Sequence, residues 1–159
     1  MTVPTARSAP AVAAAVAALA VFSLAGCASA SPPGLIRYPP APATLPFSEA
    51  VRDGDLLFVS GQIGNVPGKL ELVPGGTRAE AAQAMENIRA IVERNGSSMS
   101  RIVKCTVFLA DMKEWGAFNE VYRAAFPGEL PARSALGANG LALGARVEVE
   151  CIAHVPERK

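Results

Sequence analysis

Three hydrophobic patterns follow one another along the chain, and each predicts a different structure. Residues 11–26 are apolar without a period: Ala, Val and Leu, with one Phe, one Ser and a closing Gly. From residue 45 onward short alternating runs take over. Residues 48–52 and 55–60 read as strands joined at Asp53-Gly54, a pair that suits a tight hairpin, and the second is apolar enough to be central in a sheet. A brief strand is expected over 70–73, between Pro67-Gly68 and Pro74-Gly75-Gly76. Residues 77–94 then change to a helical period. Ala81, Met85, Ile88 and Val92 form one stripe, with Arg78, Gln83, Glu86, Arg89 and Glu93 off it. Thr77 and Glu80 have the spacing of a capping box, and Asn95-Gly96 supplies a stop.

Alternation returns over 101–110. It places Val103, Cys105, Val107 and Leu109 on one face and Ile102, Lys104, Thr106 and Phe108 on the other. Asp111 and Glu114 repeat the capping logic ahead of a second helix, 112–126. Its expected buried stripe is Trp115, Phe118, Tyr122 and Ala125, and Pro127-Gly128 ends it. Residues 131–136 form a short strand and 137–144 a glycine-rich turn, which is no phosphate cradle because neither a lysine nor a helix follows. The last strand, 146–154, sets apolar residues on one face and Glu148, Glu150 and His154 on the other. Two helices and about six strands predict an α+β domain with both helices on one face of a mixed sheet. The other, semi-polar face is left bare, which predicts self-association.

The first segment has the length of a secretory h-region and is short for a membrane-spanning helix. It ends in Leu24-Ala25-Gly26-Cys27, which resembles the lipobox of bacterial lipoproteins. This implies a signal over 1–26, lipidation of Cys27, a membrane anchor and a location in the cell envelope, on the periplasmic or extracellular face. A plain signal peptide cut at a nearby small residue is the other reading. Residues 27–44, rich in Pro, Ala and Ser, read as an extended tether. Leu35-Ile36-Arg37-Tyr38 interrupts it and is expected to pack on the edge of a domain spanning 45–156.

The chain has 15 Lys+Arg against 14 Asp+Glu, so no basic surface invites nucleic acid. Beyond Cys27 the cysteines are Cys105 and Cys151, far apart and without a C-x-x-C spacing. With one His in the chain, no zinc site is expected. Buried free thiols are the default expectation for the pair, and a disulfide is the alternative in an oxidising compartment.

Two residues carry candidate chemistry. Arg133 stands alone in an apolar run after Pro131, and Glu148 lies on the polar face of the last strand. A fixed guanidinium can hold a small carboxylate, and a fixed carboxylate can activate water beside it. The same two groups could equally form an ordinary ion pair.

Several stretches resemble the Rid (YjgF) family in the expected order. They are Leu57-Phe58-Val59-Ser60-Gly61-Gln62-Ile63, the run from Val103 to Met112, Phe118-Asn119-Glu120-Val121-Tyr122, Pro131-Ala132-Arg133-Ser134 and the run from Val147 to Ala153. The resemblance implies a chorismate-mutase-like protomer assembled as a homotrimeric barrel with clefts between subunits. It implies hydrolysis of reactive 2-imino acids and enamines, such as 2-aminoacrylate, to 2-oxo acids and ammonia, without metal or organic cofactor. Arg133 matches the arginine that grips the substrate carboxylate, and Glu148 the carboxylate that orients or deprotonates water. Ser60 and Gly61 match backbone positions lining the cleft, with Asn119 and Ser134 as further cleft candidates. Phe47 stands where many members have a tyrosine, and Ala135 where some have a cysteine. A non-catalytic trimer binding small carboxylates is the alternative. Members have also been labelled translation inhibitors with endoribonuclease activity, a reading that the neutral charge and the export-like leader argue against.

Overall fold

The computed structural model describes residues 34–40 and 43–156. The expected signal, Cys27 and half of the tether (27–33 and 41–42) lie outside the described residues. The hydrophobic alternation becomes one sheet in the order β1-β2-β3-β6-β4-β5, made of β1 (Leu35–Tyr38), β2 (Ala50–Asp53), β3 (Leu56–Ile63), β4 (Ile102–Leu109), β5 (Ala132–Gly137) and β6 (Val147–His154). Neighbours are antiparallel except β4 and β5, which run parallel. Helix α1 (Gly76–Arg94) links β3 to β4, and α2 (Trp115–Ala124) makes the β4–β5 crossover that a parallel pair requires.

Both helices pack on one face, as the pattern requires. That face buries Leu57, Val59, Cys105, Val107, Val149 and Cys151 against Met85, Ile88 and Val92 of α1 and Phe118 and Tyr122 of α2. Each large side chain sunk there contributes roughly 1.5–3 kcal/mol. The opposite face carries Phe58 and Leu136, both well exposed, with Lys104, Thr106, Glu148 and Glu150. The sheet reaches back to Leu35, because Leu35–Tyr38 pairs in full with β2 inside the stretch read as tether. The expected 70–73 strand reduces to a single bridge, Asn65 to Leu72.

Four local expectations are corrected. In β4 an extra residue, Val103, bulges between Ile102 and Lys104. Ile102 therefore joins the core with Cys105, while Val103 is exposed. The second helix opens with a 3-10 turn, Met112–Glu114, which resets its phase so that Trp115 is exposed while Phe118 and Tyr122 stay buried. Asp111 does cap, accepting from the Lys113 amide at 2.9 Å. The Thr77–Glu80 capping box does not form. The helix starts earlier, after Gly75 at φ 116°, and Glu80 Oε2 instead accepts the backbone N–H of Arg146 at 2.7 Å. Gly64 passes close to the helix there: a Cβ on it would stand 2.4 Å from the Glu80 Cα. The acid is seated against the start of β6, where that amide needs a partner. Finally, Cys105 and Cys151, register partners in β4 and β6, are joined by a disulfide. The open alternative for the two cysteines, and not the free-thiol default, is the one realised.

Candidate active site

Glu148 sits where β3 is irregular. Val59 pairs with Cys151 and Gln62 with Val149, so Ser60 and Gly61 together stand opposite Glu150 alone, which is a β-bulge. The bulge is pinned from both sides. The Ser60 N–H donates to the Glu49 carbonyl at 3.0 Å and its hydroxyl to the Ser48 carbonyl at 2.7 Å. The Gln62 amide donates to the Ser60 and Gly61 carbonyls. The glycine at 61 leaves the neighbouring acid its room: a Cβ there would lie 1.9 Å from Glu148 Oε1, so that the carboxylate would have to shift. The carboxylate thus rests on bare backbone.

Glu148 also closes one side of a cavity of about 320 Å³. Leu45, Phe47, Ile63, Leu70 and Leu143 form much of its lining. Burial, and then the like charge of Glu150, raise the Glu148 carboxyl above the ordinary carboxylate range. A carboxylate so placed binds a proton more readily than one in water, as a general base should.

Arg133 is elsewhere. It is half-buried on β5 in register with Cys105, on the helix side of the sheet. Its guanidinium lies 4.7 Å from the ring centre of Tyr122 and 5.8 Å from that of Phe118. The Tyr122 hydroxyl has no hydrogen-bond partner, and burial pushes its pKa up to about 12. Arg133 and Glu148 therefore occupy opposite faces of one sheet and form no ion pair with each other.

The remaining predicted residues divide between the two faces. Ser60, Gly61 and Phe47 belong to the Glu148 side, with Gly61 and Phe47 lining its cavity. Ser134 is on the same sheet face but two strands away, accepting a hydrogen bond from Lys104 Nζ at 2.8 Å. Asn119 is on α2 next to Phe118, with its side-chain oxygen buried and without a partner. Among the described residues no three His, Cys, Asp or Glu side chains gather as a metal cage.

The aromatic seat of Arg133 and the wall formed by Leu143 were not read as site features from the sequence. Phe118 and Tyr122 were legible as a buried stripe, but which strand faces them is not written locally. Leu143 fell in a segment legible only as a turn.

Comparison with known proteins identifies the architecture. The family described as Endoribonuclease L-PSP matches residues 39–155. This chain belongs to the Rid (YjgF, L-PSP) family. The mouse 2-iminobutanoate/2-iminopropanoate deaminase is 45% identical over 114 residues, covering 71% of this chain and 84% of that protein. The crystal structure of RidA from an Antarctic Psychrobacter has a TM-score of 0.68 at 37% identity, covering 75% of this chain and 94% of that one. The YjgF gene product from E. coli has a TM-score of 0.66 at 35% identity, covering 73% and 92%. In this Rid chain, then, Arg133 and Glu148 are separated by the thickness of the sheet.

Proposed function

We propose that this Rid chain is an imine deaminase, hydrolysing 2-imino acids and the enamines they equilibrate with to 2-oxo acids and ammonia. One observation carries the reading: a half-buried carboxylate of raised proton affinity, Glu148, held beside a cavity by a glycine that leaves it room. The named activity of the mouse relative supports it.

In the mechanism Arg133 grips the substrate carboxylate with two parallel N–H bonds. Glu148 takes a proton from water as the water oxygen bonds to C2 of the imine. The C=N π electrons move to nitrogen, which takes that proton from Glu148. The resulting carbinolamine then collapses: Glu148 takes the hydroxyl proton as the carbonyl forms, the C–N bond breaks, and ammonia leaves with that proton, which frees the carboxylate again. Imine and water are consumed in equal amounts, and no redox step occurs.

Because Arg133 and Glu148 lie on opposite faces, the working site takes Glu148 from one subunit and Arg133 from the next, in a homotrimer. The exposed Phe58 and Leu136 on the bare sheet face support burial by further copies. Ser134, Ser60 and Gly61 then border the cleft, with Asn119 behind the Arg133 half. The protein acts in the cell envelope, anchored through Cys27 after removal of residues 1–26. The leader pattern and the Cys105–Cys151 disulfide, a bond that persists in oxidising compartments, support this placement.

The test generates imines in situ with an L-amino-acid oxidase, traps the remainder with semicarbazide and follows semicarbazone formation. Wild type is expected to reduce it and Arg133→Ala to leave it unchanged, with assembly state checked for both. A properly assembled wild type that accelerates imine loss for no amino acid would overturn the deaminase reading in favour of plain carboxylate binding.

A further inference from the structure

Leu143 has φ 58° and ψ 13°, the only left-handed non-glycine residue among those described. An L side chain in that region crowds its own backbone, whereas glycine adopts it freely. The chain nonetheless places a leucine there, and the next residue, Gly144, also has positive φ. The leucine is half-exposed and lines the cavity beside Glu148. Phe47 and Leu70, also half-exposed, and the apolar Leu45 and Ile63 share that lining. The charged side chains lining it are Glu49, which is engaged by Arg94, and Glu148. Strained residues kept at cavity walls point to a role for the side chain they present. At about 320 Å³ the cavity is in the range that encloses ligands of drug size, well beyond a three-carbon imino acid.

We propose that this cavity receives the side chain of the substrate and selects 2-imino acids with bulky apolar side chains, with Leu143 setting the preference. The inference rests on the deaminase reading and adds the substrate class to it. Imines made by oxidation of branched-chain or aromatic amino acids belong to that class. A reaction of the amino-acid oxidase type would supply them.

The test compares the full chain with Leu143→Gly, a substitution that relieves the backbone and so preserves folding. Two readouts are taken: kcat/KM for the imines of leucine and alanine, and equilibrium binding of the product analogues 4-methyl-2-oxopentanoate and pyruvate. Wild type is expected to favour the branched compounds by about tenfold or more, since even one methylene in an apolar pocket is worth ~10- to 200-fold. Leu143→Gly is expected to lose most of that ratio. Turnover without preference, or a preference that Leu143→Gly leaves intact, overturns the assignment while the deaminase reading stands. No turnover of any imine, with a binding preference that Leu143→Gly removes, overturns the deaminase reading and leaves the selectivity standing. Neither turnover nor preference overturns both.

Discussion

The two halves of the candidate site are built by different means. The Glu148 half is made of backbone: a bulge and a glycine leave one carboxylate its room at a cavity wall. The Arg133 half is made of side chains: a long cation at the edge of the sheet is seated on two aromatic rings. The difference teaches a division of labour. The group proposed to handle protons is placed by backbone, and the group proposed to capture substrate is placed by aromatic side chains, on a strand whose outer side has no sheet neighbour among the described residues.

The comparison breaks most completely if the halves never meet. Arg133→Ala and Glu148→Ala are each expected to lower kcat/KM by ~10²-fold or more, the scale of a general base and of a paired ionic hydrogen bond. Co-assembling the two inactive variants is expected to restore part of the activity, because some clefts then receive an intact residue from each copy. Activity assays on refolded mixtures check this, and no recovery from fully exchanged assemblies would contradict a shared site.

Next in size is Gly61→Ala. The added methyl must displace the Glu148 carboxylate, and a shift near 1 Å is worth up to ~10²-fold in rate. Thermal melting should change little, since the carboxylate can swing into the cavity, so the rate loss would mark positioning and not unfolding.

A smaller effect is read from pH. Glu148 must be deprotonated to act, so activity falls on the acid side as pH drops through its raised pKa. Glu150→Gln removes the like charge and is expected to move that limb to lower pH in a kcat/KM profile. For stability the sign is opposite to that of a salt-bridged acid. The folded state binds the Glu148 proton more tightly than the unfolded chain does, so stability declines as pH rises from the ordinary carboxylate range through the raised value. Glu148→Gln is therefore expected to melt higher than wild type at neutral pH while losing activity.

The smallest effect concerns the seated cation. Tyr122→Phe is expected to leave KM near wild type, and Tyr122→Leu to raise it ~2- to 30-fold, the value of a cation–π contact. Similar KM values for both variants would remove the seat from the argument.

Much of the fold was legible in the sequence because alternation and helical period are local. Val107 and Leu109, and Met85, Ile88 and Val92, went where their spacing sent them. Val103 did not, because a bulge is decided by the partner strand, and Trp115 did not, because a 3-10 turn changes phase without changing composition. Glu80 shows the same limit from the other side. Its sequence neighbours offered a cap, and a strand 66 residues away offered a better one. For the site, Arg133 and Glu148 stood out by residue type, whereas their separation to opposite faces depends on register, which no single stretch records.

The bulge at Ser60-Gly61 also acts as a frame change. Before it, odd-numbered residues of β3 face the helices. After it, Gln62 shares the helix side with Val149, and Ile63 turns to the side of Glu148. Removing one residue at this point would restore an uninterrupted alternation, with Gln62 still opposite Val149 and Ile63 still opposite Glu148. A single-residue deletion here would thus leave the faces of the strand as they are and take away only the bulge, and with it the room kept beside the Glu148 carboxylate. Length, as much as identity, is inherited information at this position.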